Sequence, residues 1–222
     1  QPVKGLDVGC HTGRLAVPLA RAGCQVTGID SSRFHLKLAE DHARQEGTQC
    51  QWIKGDAFQR IGRMQPESFD MVVCTEVLYQ RRDFTEDMKK LSALVRKGGF
   101  LATSHRSRFF YLTKSITEKD YETAKRLLSA SEGEVEGSYF NWQNSKQLKD
   151  LYAGLGLEVL KITPIGTVTG NGDEGMARLC NLSERTEIER EALFDIEMHP
   201  AEEFTSLGRY LLAIGRKPGK LF

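Results

Sequence analysis

From residue 3 to about residue 104 the sequence alternates short β-like runs with helical patterns, and this alternation limits the fold more than any other feature. Strands that alternate with helices in this way form a mostly parallel sheet with helices on both faces. The predicted strands are residues 3–8, 25–29, 51–53, 69–74 and 99–103, and the predicted helices are residues 13–22, 32–44 and 84–95. In the second helix, Phe34, Leu38 and His42 share one side and are expected to cover the sheet. The sequence therefore predicts a doubly wound α/β fold.

Two stretches interrupt this rhythm and are predicted to be insertions. Residues 105–143 are polar and aromatic and contain one predicted helix, at 118–130, with Thr117 as its cap. The pattern resumes with a helix at 145–154 and strands at 157–165 and 210–214. Residues 166–206 form the second insertion, where Thr186 and Glu189 have the spacing of a capping box. We expect residues 1–222 to form a single domain in which both insertions cover a substrate.

Composition excludes several classes of partner. A net charge of +1 and a pI near 7.8 give no strong field for a polyanion, so nucleic acid is not an expected partner. The five cysteines are scattered and never spaced C-x-x-C, which favours reduced thiols. No apolar run is long enough to cross a bilayer, and no tripartite leader is visible. We expect a cytoplasmic protein without membrane insertion, and the sequence does not indicate its oligomeric state.

The first predicted strand leads into a turn with the residues of a ligand-binding site, LDVGCHTGR at residues 6–14. Glycine lets a ligand approach the backbone closely, and the following helix presents free N–H groups. A G-x-x-x-G pattern taken alone is equally compatible with a tight turn that binds nothing.

Acids at the ends of the next two strands extend the pattern to a nucleoside. Asp30 ends the second strand, about 20 residues after Gly9, where a carboxylate can accept both ribose hydroxyl protons. Asp56 follows the third strand at the same sheet edge and suits the exocyclic amine of adenine. A simple turn aspartate is the other interpretation of Asp56.

A nicotinamide dinucleotide is the competing ligand, because the same fold and ribose acid serve it. Its fingerprint G-x-G-x-x-G leaves room for a pyrophosphate, whereas His11 occupies the middle position here and no third glycine follows Gly13 at the expected interval. The tighter turn favours S-adenosylmethionine, which carries no phosphate.

Five stretches in order resemble the successive signatures of class I S-adenosylmethionine-dependent methyltransferases. They are LDVGCHTG at residues 6–13, IDS at 29–31, GDA at 55–57, FDMVVCTEVL at 69–78 and LVRKGGFL at 94–101. The resemblance covers most of residues 3–104 and narrows to enzymes similar to the ubiquinone-biosynthesis O-methyltransferases. It implies a Rossmann-like sheet of seven mostly parallel strands with an antiparallel last strand, and S-adenosyl-L-methionine as cofactor. These enzymes usually carry a helical segment before the first strand, so part of the natural N-terminus can lie outside this sequence.

The resemblance also implies roles for ten residues of the cofactor site. They are Asp7, Gly9, Cys10, His11 and Gly13 around the methionine end, Asp30 and Ser31 at the ribose, Asp56 and Ala57 at the adenine, and Thr75 beneath the methyl group. His11 stands where the family most often has glycine, so an adjusted backbone is expected there.

The same group can hold a divalent metal with acids and a histidine after the fourth strand. Glu76 is present here, but Tyr79 and Gln80 occupy the other positions, so we expect no metal. The Asp/Asn-Pro-Pro-aromatic run of enzymes that methylate amino groups of nucleic acids is not found at residues 74–77.

Catalytic and substrate-binding candidates follow the fifth strand. A hydroxyl nucleophile must lose its proton, and His105, at the carboxyl edge of the sheet, is the candidate base, with a structural hydrogen-bonding role as the alternative. Arg106 is a candidate for pairing with a carboxylate or phosphate, or is a solvated surface residue. About half of the aromatic side chains nearby are expected to pack the core of the insertion. The aromatic candidates for substrate contact are Tyr79, Tyr111, Tyr139 and Trp142.

Three functions stay open at this point. The first is methyl transfer from S-adenosylmethionine to oxygen or nitrogen of a small molecule. The second is a catalytically silent protein that binds the adenosyl cofactor, and the third is a nicotinamide-dependent oxidoreductase.

Overall fold

The computed structural model describes residues 2–135, 137–167, 182–198 and 202–219, without the side chains of residues 202–204. The strands are β1 (Lys4–Val8), β2 (Gln25–Asp30), β3 (Gln51–Lys54), β4 (Phe69–Cys74), β5 (Val95–Arg106), β6 (Glu132–Val135), β7 (Ser138–Asn141), β8 (Glu158–Ile165) and β9 (Tyr210–Arg216). The helices are α1 (Ala16–Arg21), α2 (Arg33–Gln45), α3 (Ala57–Ile61), α4 (Phe84–Leu94), α5 (Arg108–Thr117), α6 (Tyr121–Leu127), α7 (Ser145–Gly154) and α8 (Glu187–Met198).

Seven strands form one sheet in the order β3-β2-β1-β4-β5-β9-β8. The strands from β1 to β5 pair in parallel, and β9 lies antiparallel between β5 and β8. This confirms the predicted fold class. β2 follows β1 on one side and β4 lies on its other side, so the strand order reverses at β1. Open α/β sheets bind ligands at the carboxyl ends of their strands beside such a reversal.

Helix α2 covers the sheet with a different face from the one predicted. Leu36, Ala39 and Ala43 are buried, whereas Phe34 and Leu38 are 68% and 40% exposed. Ser32 caps the helix by accepting the backbone N–H of His35, which fixes where the first turn begins and therefore which residues face inward. Small alanines on this face let the helix approach the sheet closely, and the prediction that Phe34, Leu38 and His42 cover the sheet was wrong.

The stretch after β5 holds more structure than the single predicted helix. β5 continues to Arg106, which pairs with Tyr210 of β9, and α5, α6 and the β6–β7 hairpin follow. Lys119 has a left-handed backbone (φ 61°) that ends α5. Asp120, rather than Thr117, caps α6 by accepting the backbone N–H of Thr123. These elements enclose a small core of their own, made of Phe110, Tyr111, Leu127, Val135 and Trp142.

The second predicted insertion is described only in part. Thr186 and Glu189 form the predicted capping box: the backbone N–H of Thr186 donates to Glu189 Oε2 (2.8 Å), and that of Glu189 donates to Thr186 Oγ1 (3.4 Å). Residues 168–181 and 199–201 lie outside the described part of the chain, and Cys180 is among them.

The described cysteines are free thiols: Cys10, Cys24, Cys50 and Cys74. Within the described residues, none of the helices combines the length and apolar character needed to cross a membrane.

Candidate cofactor and substrate site

The turn after β1 is built so that a ligand can lie against its backbone. Gly9 and Gly13 both have φ 78°, a left-handed conformation that side chains disfavour. A Cβ atom on Gly9 would also lie 2.4 Å from a methyl carbon of Val77, so the space beside it is open only to glycine. His11 is left-handed as well, at φ 47°. Its backbone N–H donates to Asp30 Oδ2 (2.9 Å), which offsets the cost of the conformation.

Asp30 is held in position by the backbone at the end of β2. Its Oδ1 accepts the N–H of Ser32 (2.8 Å) while Oδ2 accepts that of His11, and its side chain is 13% exposed. Each carboxylate oxygen has a second lone pair, so both can still accept a ribose hydroxyl. The carboxylate therefore joins the glycine turn to the expected position of the sugar.

The carboxylate of Asp56 caps a helix and also lines the cleft. Its Oδ1 accepts the backbone N–H of Gln59 (2.8 Å) and so caps α3. The turn-aspartate interpretation is thus part of its role, and Oδ2 is the oxygen left to accept the exocyclic amine of adenine.

These residues line a cleft of about 710 Å³ at the carboxyl ends of the strands. The structure brings nine of the ten predicted cofactor residues into its wall, and Gly13 packs beneath it against Val17 and Trp52. The sequence prediction missed much of the wall: Thr12, Arg14, Leu15, Ser32, His35, Phe58, Glu76, Val77 and Arg81. Five of these nine residues directly follow a predicted cofactor residue in the sequence, and this adjacency was the signal that could have found them.

Asp7 presents a buried carboxyl to the methionine end of the cleft and is 2% exposed. Burial raises its pKa to about 7, although a backbone hydrogen bond from Ala16 and the charge of Arg14 act in the opposite direction. This carboxyl therefore keeps its proton to a higher pH than an ordinary aspartate does, and a cationic ligand beside it would favour the ionised form.

The raised pKa of Asp7 predicts a pH dependence of stability. Folded Asp7 keeps its proton up to about pH 7, whereas in the unfolded chain it loses the proton near its ordinary pKa of 3.8, so the contribution of Asp7 to stability falls as pH rises between these values. The unfolding free energy of the wild type minus that of Asp7→Asn, measured with denaturant, should therefore fall across this window by up to about 1.4 kcal/mol per pH unit, because other shifted groups, such as buried His105, act in both proteins. Parallel stability curves for the two proteins would contradict the assignment.

Glu76 reaches across the cleft from the end of β4. Its backbone is left-handed (φ 59°) and its N–H donates to Ser104 Oγ (2.7 Å). Its carboxylate accepts Arg14 Nη2 (2.6 Å) and the Tyr210 hydroxyl (3.0 Å). Burial by itself would raise the pKa of Glu76, but the hydrogen bonds from Arg14 and Tyr210 and the charges of Arg14 and Arg106 outweigh it and hold that pKa below its usual value.

The positions that the resemblance associates with a metal are Glu76, Tyr79 and Gln80. Glu76 already binds Arg14, and Tyr79 lies in the cleft wall. The described part of the chain contains no group of three histidine, cysteine or acidic side chains arranged to hold a metal ion. That the protein works without a metal remains a prediction.

His105 does not lie in the cleft, and its proposed role as the base must be corrected. It is fully buried, its Nε2 lies 2.6 Å from Thr103 Oγ1, and its ring packs edge-on against Phe84 of α4. Burial lowers its pKa to about 3. Alternate residues of β5 point to opposite faces, so Ser104 and Arg106 face the cleft side while His105 faces the helices. His105 is therefore a packed structural residue.

The predicted substrate residues divide into two groups. Tyr79 lies in the cleft wall and Arg106 lies next to it. Trp142 is fully buried and Tyr111 is 4% exposed, so they pack the small core of the insertion and are not in the cleft wall. Tyr139 donates its hydroxyl to Glu132 (2.7 Å) on the neighbouring strand of the hairpin. For Tyr111, Tyr139 and Trp142 the structure supports packing rather than substrate contact.

Tyr210 is a residue of this region that the sequence prediction missed. Because β9 is antiparallel to the other strands, its first residue lies at their carboxyl ends, where Tyr210 pairs with Arg106. The antiparallel last strand was predicted, so its first side chain could have been placed beside the site.

Comparison with known proteins identifies the family of this chain. Residues 6–99 match the methyltransferase domain family. The chain is 39% identical over 111 residues to a ubiquinone biosynthesis O-methyltransferase of Albidiferax ferrireducens, covering 48% of this chain and 44% of the relative. It is 30% identical over 187 residues to the protein of that name from Chromobacterium violaceum, covering 83% of this chain and 75% of the relative. The chain thus spans less than half of the first relative and three quarters of the second.

A solved structure extends the likeness in fold to nearly the whole chain. An S-adenosylmethionine-dependent methyltransferase from Methanosarcina mazei superposes with a TM-score of 0.65 over 98% of this chain and 94% of that one, at 18% identity. The chain belongs to the class I S-adenosylmethionine-dependent methyltransferases. Within this class its sequence is similar to the ubiquinone biosynthesis O-methyltransferases, and S-adenosyl-L-methionine is its cofactor. The family decides against the nicotinamide alternative.

Proposed function

We propose that this protein methylates a hydroxyl oxygen of a small molecule without the help of a metal ion. The observation that carries the proposal is the carboxylate of Glu76, held in the cleft wall by Arg14 and Tyr210. It stands where related enzymes can place a metal ligand, and an arginine already neutralises it. The O-methyltransferase names of the relatives support oxygen as the acceptor.

The cleft wall fits the cofactor in charge as well as in shape. Bound there, S-adenosylmethionine supplies a methyl group on a positively charged sulfur atom. Asp7, Asp30, Asp56 and Glu76 give the wall four carboxyl groups, which suit a ligand with an ammonium group, a sulfonium and two ribose hydroxyls. Asp30 and Asp56 are fixed by backbone N–H donors, so they need little reorganisation when they bind.

Glu76 replaces His105 as the residue that handles the proton. A carboxylate accepts a hydrogen bond from the substrate hydroxyl and aligns its oxygen, and it takes the proton as the oxygen–methyl bond forms. Its low pKa keeps it ionised at neutral pH, and the Arg14 and Tyr210 hydrogen bonds fix its orientation. Glu76 is therefore the proposed catalytic residue.

The first insertion, residues 105–143, is the proposed cover of the substrate end of the cleft. Phe140 of the β6–β7 hairpin stacks on Tyr79 of the cleft wall, with ring centroids 5.8 Å apart and planes 8° from parallel. Asn141 ties the same hairpin to the wall by donating to the carbonyl oxygens of Leu78 (2.8 Å) and Arg81 (3.0 Å). A cover fixed in this way excludes water from the region beside Tyr79.

Cofactor binding and turnover test this proposal separately. Calorimetry should show one site for S-adenosylmethionine, and a panel of hydroxylated aromatic compounds should yield S-adenosylhomocysteine at a rate that a chelator does not reduce. Binding without turnover on any member would favour the silent cofactor-binding protein. Activity that is lost on chelation and restored by magnesium would contradict the metal-free mechanism.

A further inference from the structure

Arg106 lies in an aromatic cage beside the substrate end of the cleft. Its guanidinium carbon is 4.3 Å from the ring centre of Tyr210, 4.9 Å from that of Tyr79, 5.2 Å from that of Phe110 and 5.8 Å from that of Tyr111. The residue is 8% exposed. Four aromatic side chains thus surround one buried positive charge.

The cage stabilises the charge but leaves hydrogen-bond donors of the guanidinium unused. Cation–π contacts attract the charge to the ring faces, yet they do not replace the hydrogen bonds that a buried guanidinium has lost to water. Nε and Nη1 of Arg106 are buried and have no hydrogen-bond partner among the described residues. Glu76 lies near enough for the charge of Arg106 to affect its pKa, but the hydrogen bonds of its carboxylate come from Arg14 and Tyr210.

The balance of charge at this end of the cleft favours an anion. Among the described residues, Arg14, Arg106 and Arg209 contribute three positive charges around Tyr210 and Glu76, against the single negative charge of Glu76. Tyr79, which lines the cleft, and Tyr210, which donates to Glu76, both contact the guanidinium, so the cage borders the place where Glu76 would meet a substrate hydroxyl. An arginine with free donors against aromatic walls suits a carboxylate on an aromatic ring.

We infer that Arg106 determines substrate specificity by binding a carboxylate of the substrate, so that this protein methylates hydroxylated aromatic acids. The inference rests on the proposed function and adds the class of substrate to it. Arg106 holds the acid group, while Glu76 meets the hydroxyl that is methylated.

Acid and amide pairs test the inference with a readout other than turnover. Protocatechuate, caffeate and salicylate are each titrated, beside their primary amides, into protein saturated with S-adenosylhomocysteine. For at least one pair the wild type should bind the acid about tenfold or more tightly than the amide, the gain expected of a charge-assisted hydrogen bond. Arg106→Gln should remove that preference by weakening the acid alone, and Arg106→Lys should keep part of it. In turnover assays, Arg106→Gln should raise KM for the acid by a larger factor than it lowers kcat.

Arg82→Gln is the matched control. The guanidinium carbon of Arg82, which precedes α4, lies 4.4 Å from the ring centre of Tyr139, but Arg82 is exposed and outside the cleft wall, so its variant should keep the full acid preference. Equal binding of acid and amide by the wild type in every pair, or an unchanged preference in both Arg106 variants, would overturn the inference. If neutral phenols are still methylated in that case, the proposed function stands, whereas failure to bind S-adenosylhomocysteine would count against the proposed function itself. Circular dichroism and unchanged affinity for the amide show that the variants are folded.

Discussion

Replacing Asp30 with alanine is expected to weaken the binding of S-adenosylhomocysteine by about 100-fold or more, as measured by calorimetry. Each hydrogen bond to an ionised group contributes about 1.5–3 kcal/mol, and the carboxylate of Asp30 can accept two ribose hydroxyls. The same substitution removes the acceptor for the backbone N–H of His11, so the left-handed turn at φ 47° loses its support. Contact with the sugar and support of the turn therefore both depend on one side chain.

A second variant separates these two contributions. His11→Gly removes the side chain that disfavours the left-handed backbone. The double variant Asp30→Ala/His11→Gly should therefore regain only the part of the affinity that Asp30→Ala loses through the turn. Asp120→Ala is the matched control, because Asp120 also accepts a backbone N–H but caps α6, outside the cleft wall. Full recovery of affinity in the double variant would mean that Asp30 does not contact the ribose, and the proposed cofactor pose would be wrong.

Replacing Glu76 with glutamine is expected to lower kcat by about 100-fold, the usual contribution of a residue that removes a proton in the transition state. The affinity for S-adenosylhomocysteine, which carries no sulfonium charge, should change little. Because the ionised form of Glu76 is the active one, wild-type kcat should fall as pH falls through a pKa below that of an ordinary glutamate. This acid limb should be missing in Glu76→Gln.

Glu67 provides the control for this experiment. It is another glutamate with a left-handed backbone (φ 54°) and an ion pair, to Lys217 (3.2 Å), but it lies outside the cleft wall. Glu67→Gln should keep normal turnover. A loss of kcat of the same size in both variants would show that the effect is one of folding rather than of proton transfer.

The cofactor half of the site could be predicted because strand ends carry its chemistry. A glycine turn after β1 and acids after β2 and β3 must meet at one sheet edge, whatever the details of packing. His105 shows where such reasoning stops. Neighbouring residues of β5 point to opposite faces, so an error of one position moves a side chain from the cleft to the helices. The strand pairing of β5 with β4 also shifts register between Phe69 and Met71, which no sequence pattern reveals.

The predictions of helix boundaries and of buried helix faces failed for a related reason. No glycine or proline marks Lys119, so nothing in the sequence signals the left-handed residue that separates α5 from α6. In α2 the buried positions are Leu36 and two alanines, whereas the larger Phe34 is exposed, and hydrophobicity alone favours the wrong face. Pairing of distant side chains, such as Arg106 with the ring of Tyr210, depends on the assembled sheet.

The position of β9 has a consequence for synthesis of the chain. Its residues, Tyr210–Arg216, come last among the described strands yet lie between β5 and β8, with Leu211 and Ala213 fully buried. Until the ribosome has released them, β5 and β8 each present an unpaired edge, and such edges recruit strands from other chains. Nascent copies are thus most open to aggregation, and to capture by chaperones, while β9 has not yet left the ribosome.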